Sequence, residues 1–258
     1  MRIGIAGALL AAAALAAPQV GPVPKALRKS LKLDGFYKKH VDATGLPVVG
    51  SEHADDRALV AAAELLDKLL EERSDVRKAI IEAKVRVVVM APTEKTTDVP
   101  EHSDLRPKDY WDRRARGLGA TRTRPACSCG AENLLGLKGD KYRGESILIH
   151  EFSHTIHQLG LNKVDPKFEP RLKKLYAQAM KQGLWKDTYA ATNFVEYWAE
   201  GVQSYFDANL QAEPPNGIHN HVNTREELQK HDPQLFKLIA EVFKDAKWRW
   251  KDPAKARG

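Results

Sequence analysis

Two histidines four residues apart, with a glutamate directly after the first, form the segment His150-Glu151-Phe152-Ser153-His154. On a helix, positions i and i+4 share a face, so both imidazoles can reach one tetrahedral zinc ion while Glu151 lies beside an open coordination position. That is the chemistry of a hydrolase that activates water on a metal. The segment sits inside GESILIHEFSHTIHQLG, residues 144–160, where Ile147, Ile149, Ile156 and Leu159 predict a mostly buried helix that stops at Gly160.

A catalytic zinc needs a third protein ligand and one position left for water. His157 lies one turn beyond His154 on the same helix, whereas a third ligand usually comes from another element. The longer H-E-x-x-H-x-x-G-x-x-H pattern requires a histidine where this chain has Gly160, so it is absent. A later helical stretch, NFVEYWAEGVQSYF, supplies Glu196 and Glu200, again four apart. Phe194, Val195, Trp198, Val202 and Phe206 surround them, so both carboxylates face burial unless a cation or hydrogen bonds compensate them. Zinc and a zinc-bound histidine would do so.

HEFSH, Tyr189 and the EYWAE segment beginning at Glu196 together resemble the family of the anthrax lethal factor catalytic domain, within the thermolysin-like zinc peptidases that use a glutamate as third ligand. The resemblance covers residues 144–210 and is weak before about residue 85, so the toxin's targets are not inherited. It implies one catalytic Zn2+ on His150, His154 and Glu196, with Glu200 supporting the site from behind. It further implies that Glu151 is the general base towards a zinc-activated water, and that Tyr189 meets the negative charge developing on the scissile carbonyl oxygen. Ser153 and His157 are weaker candidates for orienting the ligands.

The elements that must position these groups can be read in outline. Residues 54–81 are rich in Ala, Leu, Glu, Lys and Arg and predict one long helix, or two broken near Ser74. VRVVVM, residues 85–90, is β-branched, short and followed by Pro92, which predicts a buried strand. Residues 91–130 read as loop, and ENLLGL, residues 132–137, as a short edge strand to which an extended peptide would add. Asp165-Pro166 opens a helix to about residue 182, followed by helices over 193–210 and about 234–248. The expected architecture is therefore α+β and zincin-like. A small mixed sheet and the zinc helix form an upper lobe, about 51–160, over a mainly helical lower lobe, about 161–258.

Ahead of that catalytic domain, residues 1–17 read as a secretory signal peptide: Arg2, then an apolar run to Ala17 ending in an A-x-A arrangement. Residues 18–50 read as an N-terminal extension. The chain is accordingly expected to be secreted and extracellular, and no later stretch is apolar enough to span a bilayer. Of 258 residues, 41 are Lys or Arg and 34 Asp or Glu. An excess of +7 permits weak contact with acidic surfaces but is too diffuse to specify nucleic acid. Cys127 and Cys129, the two cysteines, exclude a disulfide scaffold and read as reduced thiols in a loop; a thiolate blocking the zinc in a latent form is the sharper alternative. The basic tail KWRWKDPAKARG reads as a packed tryptophan pair with a solvated end. These features point to a zinc-dependent endopeptidase acting on peptide or protein substrates. A non-catalytic zinc-binding protein, or a zinc hydrolase of a non-peptide amide or cell-wall substrate, remains open.

Overall fold

The computed structural model describes residues 18–257; the expected signal peptide, 1–17, lies outside them. Strands β1 (Gly21–Pro22), β2 (Lys39–Ala43), β3 (Leu46–Gly50), β4 (Arg86–Met90), β5 (Gly117–Leu118) and β6 (Ala126–Gly130) form one mixed sheet in the order β1-β2-β3-β4-β6-β5. The pairs β3/β4 and β4/β6 are parallel and the others antiparallel. Alternation along the central strands separates two cores. Val48, Val87, Val89, Cys127 and Cys129 face the main one; Val49, Val88, Met90 and Ala126 face a smaller one closed by Tyr37, Leu33 and Val99. Each buried valine stabilises by roughly 1.5–3 kcal/mol relative to exposure.

The helices are α1 (Lys25–Leu31), α2 (Asp56–Leu69), α3 (Ser74–Glu82), α4 (Lys108–Arg114), α5 (Ala131–Leu135), α6 (Ile147–Thr155), α7 (Asn162–Val164), α8 (Phe168–Gln182), α9 (Phe194–Tyr205), α10 (Arg225–His231) and α11 (Pro233–Val242). Helix α6, which carries the zinc motif, lies between strand β6 and helix α9, and α9 in turn packs on α8, α10 and α11. The chain thus has the expected α+β fold, a sheet and helix α6 over a mainly helical part.

Several expectations change. Residues 18–50 are no appendage: they supply three of the six strands, with β2 and β3 joined through Thr44 and Gly45, both at positive φ. A Thr-Gly pair between two short strands is a hairpin turn, and glycine adopts its left-handed position without steric cost. The helical stretch 54–81 does break, at residues 70–73. ENLLGL is not a strand. Its first residues belong to α5, which ends at Gly136 in the left-handed conformation, where a side chain would strike the backbone of Ala254.

Nor is the 91–130 region merely loop, since it holds α4, β5 and β6. The two cysteines lie on β6, fully buried, and burial pushes both thiols well above their ordinary pKa. They are therefore neutral thiols packed under α6, with no thiolate to reach the His150, Glu151 and His154 face. Small residues (Ala126, Cys127, Ser128, Cys129, Gly130) are what the close approach of α6 requires.

Gly160 does not end helix α6: the chain continues through a π-helical turn, Ile156–Leu161. A side chain at 160 would meet Val76 of α3 at 2.6 Å, so the glycine serves packing instead. Helix α8 begins at Phe168, and Asp165 caps the turn before it by accepting from the Lys167 N–H at 3.0 Å. The tail is anchored as a packed pair: Trp248 lies 5.3 Å from the Phe206 ring and the Trp250 N–H donates to Phe206 O. Among the described residues no helix is long and apolar enough to cross a membrane.

Candidate metal centre

The start of α6 is fixed by two side chains. Ser146 Oγ accepts from the Ile149 N–H, and Asn133 Oδ1 accepts from the Ile147 N–H at 2.9 Å while its amide donates to Glu145 O. Both satisfy backbone groups that a helix end leaves without partners. From this start, Ile147, Leu148, Ile149 and Phe152 point into the core, and His150, Glu151 and His154 face a cleft of about 540 Å³.

Helix α9 brings the third group. Asn193 caps it, its Oδ1 accepting from the N–H groups of Val195 and Glu196 at 2.9 and 3.0 Å. Glu196 therefore lies in the first turn, where the helix dipole favours a carboxylate. The two helices are tied by the Trp198 indole N–H, which donates to Ser153 O at 2.9 Å.

His150 Nε2, His154 Nε2 and Glu196 Oε2 form a triangle with edges of 3.1, 3.2 and 3.2 Å. Ligand atoms about 2.0–2.1 Å from a tetrahedral zinc stand about 3.3 Å apart, so the triangle has the size the ion requires. Its chemistry fits too: two imidazole nitrogens and a carboxylate oxygen converge, and lone pairs that close need a cation or protons between them. Burial opposes charge on Glu196, but the two histidines outweigh it and hold its pKa well below the usual carboxylate range. Burial likewise opposes charge on His150, and its pairing with Glu196 and Glu200 overcomes this and raises its pKa.

Behind His150, Nδ1 lies 2.8 Å from Gln203 Oε1 and 3.4 Å from Glu200 Oε1. Glu200 is itself held by Asn209, whose amide donates to Oε2 at 3.0 Å. Glu200 thus lies behind His150, and Gln203 makes the shorter contact. Glu145 lies near the same group; burial first, then the charge of Glu200, pushes its pKa up to about 7. The Glu151 pKa is also raised by burial, against the opposing pull of His150 and His154.

Tyr189 stands across the cleft, its ring stacked on His150 with centroids 6.3 Å apart. Burial raises the pKa of its phenol, keeping it a donor at neutral pH, and its oxygen accepts from Arg114 Nη2 at 3.0 Å. The open rim is β5 and the residue after it. A side chain at Gly117 would meet Ile147 and Glu151 at 2.6 and 2.8 Å, and one at Gly119 would meet His154 Cβ at 2.7 Å. Strand β5, not the 132–137 segment, is therefore the edge beside helix α6.

Two weaker candidates fall outside the site. Ser153 Oγ donates to Ile149 O within its own helix, and the His157 ring packs among Phe168 and Phe194 with Glu169 3.3 Å from Nε2. Gln203, Arg114 and the rim glycines carry parts of the site that the motifs do not announce. Gln203 alone had a readable signal, since it continues the Glu196/Glu200 stripe at i+7.

No protein-family profile and no curated protein matches the chain. Among solved structures it is similar to a PRO-PRO endopeptidase from Paenibacillus alvei, at 18% identity and a TM-score of 0.42, over 78% of this chain and 98% of that one. At that similarity the likeness assigns no residue of this chain a role.

Proposed function

We propose that the protein is a secreted zinc-dependent endopeptidase of the lethal-factor-like, glutamate-ligand type. The observation that carries this reading is the convergence of His150, His154 and Glu196 on one point of a cleft that also holds Glu151 and Tyr189. When bound, zinc supplies a Lewis acid that makes water nucleophilic near neutral pH and polarises a carbonyl. His150, His154 and Glu196 would hold it, and Gln203 and Glu200 fix the ring of His150 so that Nε2 faces the centre. Glu151 takes the proton from the attacking water and returns it to the departing amine. The Tyr189 hydroxyl, with Arg114 on its oxygen, keeps its own proton free to donate to the carbonyl oxygen as charge develops there. Strand β5 lies where an extended peptide can pair beside α6. Secretion rests on the apolar segment 1–17 alone.

The deciding experiment measures zinc content and casein hydrolysis for wild type, Glu151→Ala and Glu196→Ala. The expected result is one zinc and cleavage in wild type, zinc without cleavage in Glu151→Ala, and lost zinc affinity in Glu196→Ala. Zinc binding with no peptide cleaved across a broad library would replace the reading with a binding protein or a non-peptide hydrolase.

A further inference from the structure

Two arginines line the cleft, and they differ in what holds them. Arg116 is spoken for: Nε and Nη2 grip both oxygens of Glu132 at 2.6 and 2.9 Å, and Nη1 donates to Glu94 O at 2.6 Å. Arg114, at the end of α4, is not. Its one side-chain hydrogen bond goes to Tyr189 Oη, and among the described residues no carboxylate lies within 4.0 Å of its guanidinium. Its backbone is pinned nonetheless. The Tyr142 hydroxyl donates to Arg114 O at 2.8 Å, and Thr96 Oγ1 donates to the next carbonyl, Ala115 O. A fixed backbone aims the side chain into the cleft, one hydrogen bond from the hydroxyl that meets the scissile carbonyl.

We infer that Arg114 is a specificity residue that anchors a carboxylate of the peptide substrate, an Asp or Glu side chain flanking the scissile bond. The inference rests on the peptidase reading. A guanidinium has five N–H donors in a planar fork, and Arg114 uses one; the remainder match the two oxygens of a carboxylate better than any neutral acceptor. Exposed Arg113 beside it and the chain's excess of cations add attraction of the same sign. The other charged side chains along the cleft are the metal triangle and the acids Glu145, Glu151 and Glu200, and Arg116 is already paired, so among the described residues Arg114 is the arginine there with donors left for a substrate carboxylate.

The test compares peptides that differ only by Glu against Gln at each position within two residues of the cleaved bond, in wild type, Arg114→Gln, Arg114→Lys and Tyr189→Phe. Wild type is expected to favour one Glu peptide at least tenfold in kcat/KM. Arg114→Gln should bring the pair within twofold, Arg114→Lys should keep part of the preference, and Tyr189→Phe should slow both peptides while leaving their ratio intact. A wild-type ratio within twofold would overturn the inference, as would an equal loss on both peptides in Arg114→Gln, which would leave Arg114 only the task of holding Tyr189. The same peptides titrated calorimetrically into zinc-loaded Glu151→Gln separate the two readings. Preferential binding of the Glu peptide without cleavage by wild type would fault the peptidase reading alone. Cleavage without preference would fault the anchor alone, and neither cleavage nor preferential binding would overturn both.

Discussion

His150 and Gln203 are joined across the α6/α9 interface by a 2.8 Å hydrogen bond whose direction can be assigned. The Gln203 amide nitrogen faces the carbonyls of Ser146 and Ala208, at 3.2 and 3.4 Å, so its oxygen is the atom turned to the imidazole. An oxygen there must accept, which puts the proton on His150 Nδ1 and leaves the Nε2 lone pair for the metal.

Gln203→Ala should therefore weaken zinc binding about 10–100-fold without removing any ligand, the usual effect of losing a partner that orients one. Competition with a calibrated chelator reads this directly. Gln203→Glu keeps an acceptor towards the imidazole but turns its second oxygen on the Ser146 and Ala208 carbonyls, so it should recover only part of the loss. Unchanged affinity in the alanine variant would mean that Glu200, at 3.4 Å, orients the ring by itself.

The rim makes a second prediction. A methyl at Gly119 would lie 2.7 Å from His154 Cβ and 3.0 Å from Glu151 O, both on a helix that cannot yield without moving the ligands. Gly119→Ala should cost about 1–3 kcal/mol in denaturant unfolding, as overpacking does, and should lower kcat/KM by a larger factor than Gly35→Ala. Nothing lies within 4 Å of a side chain at Gly35, so that variant measures the effect of alanine alone.

How much of this was legible follows from side-chain size and periodicity. The α6 and α9 motifs were readable because ligand spacing and helical period coincide, and β4 because three consecutive valines have few other places to go. Strand β6 was not, since Ala-Cys-Ser-Cys-Gly carries none of the β-branched bulk that marks a strand. Its smallness is a tertiary requirement, set by a helix lying directly upon it. Two-residue β5 is too short for any pattern, and Gly117 in it and Gly119 just after it are explained only by Glu151 and His154 on the neighbouring helix. Arg114 looks no different in sequence from Arg113; only the fold separates the one facing Tyr189. The Thr44-Gly45 turn has a signal in the sequence, VDA before it and LPVV after, but the flanking runs are too short to outline a sheet by themselves.

That hairpin decides what removal of the N-terminal region would do. Val41, Ala43, Leu46 and Val48 are fully buried in the main core, and β3 hydrogen-bonds the central strand β4. Residues 18–50 should therefore remain in the mature protein. A chain beginning at Ser51 is expected to lose cooperative unfolding and to expose the β4 edge to aggregation. Circular dichroism and size-exclusion chromatography of that variant test it, and a soluble, cooperatively folded product would show the hairpin to be dispensable.

On the other face of the sheet, His102 is 1% exposed, with Nε2 3.2 Å from Ser128 Oγ and Nδ1 without a hydrogen-bond partner. Burial is the main cause that lowers its pKa to about 4, from 6.5 in an unfolded chain. With the folded pKa depressed, the unfolded state binds the extra proton between those values, so stability falls as pH drops from about 6.5 to 4 and is unaffected by this group above that window. The loss is on the order of 3 kcal/mol for a shift of this size. His102→Gln should flatten the pH dependence of the urea midpoint across that window. The proposed metal ligands lie elsewhere in the fold, so the same flattening is expected in a Glu196→Ala background; an unaltered slope in both backgrounds would assign the acid sensitivity to another group.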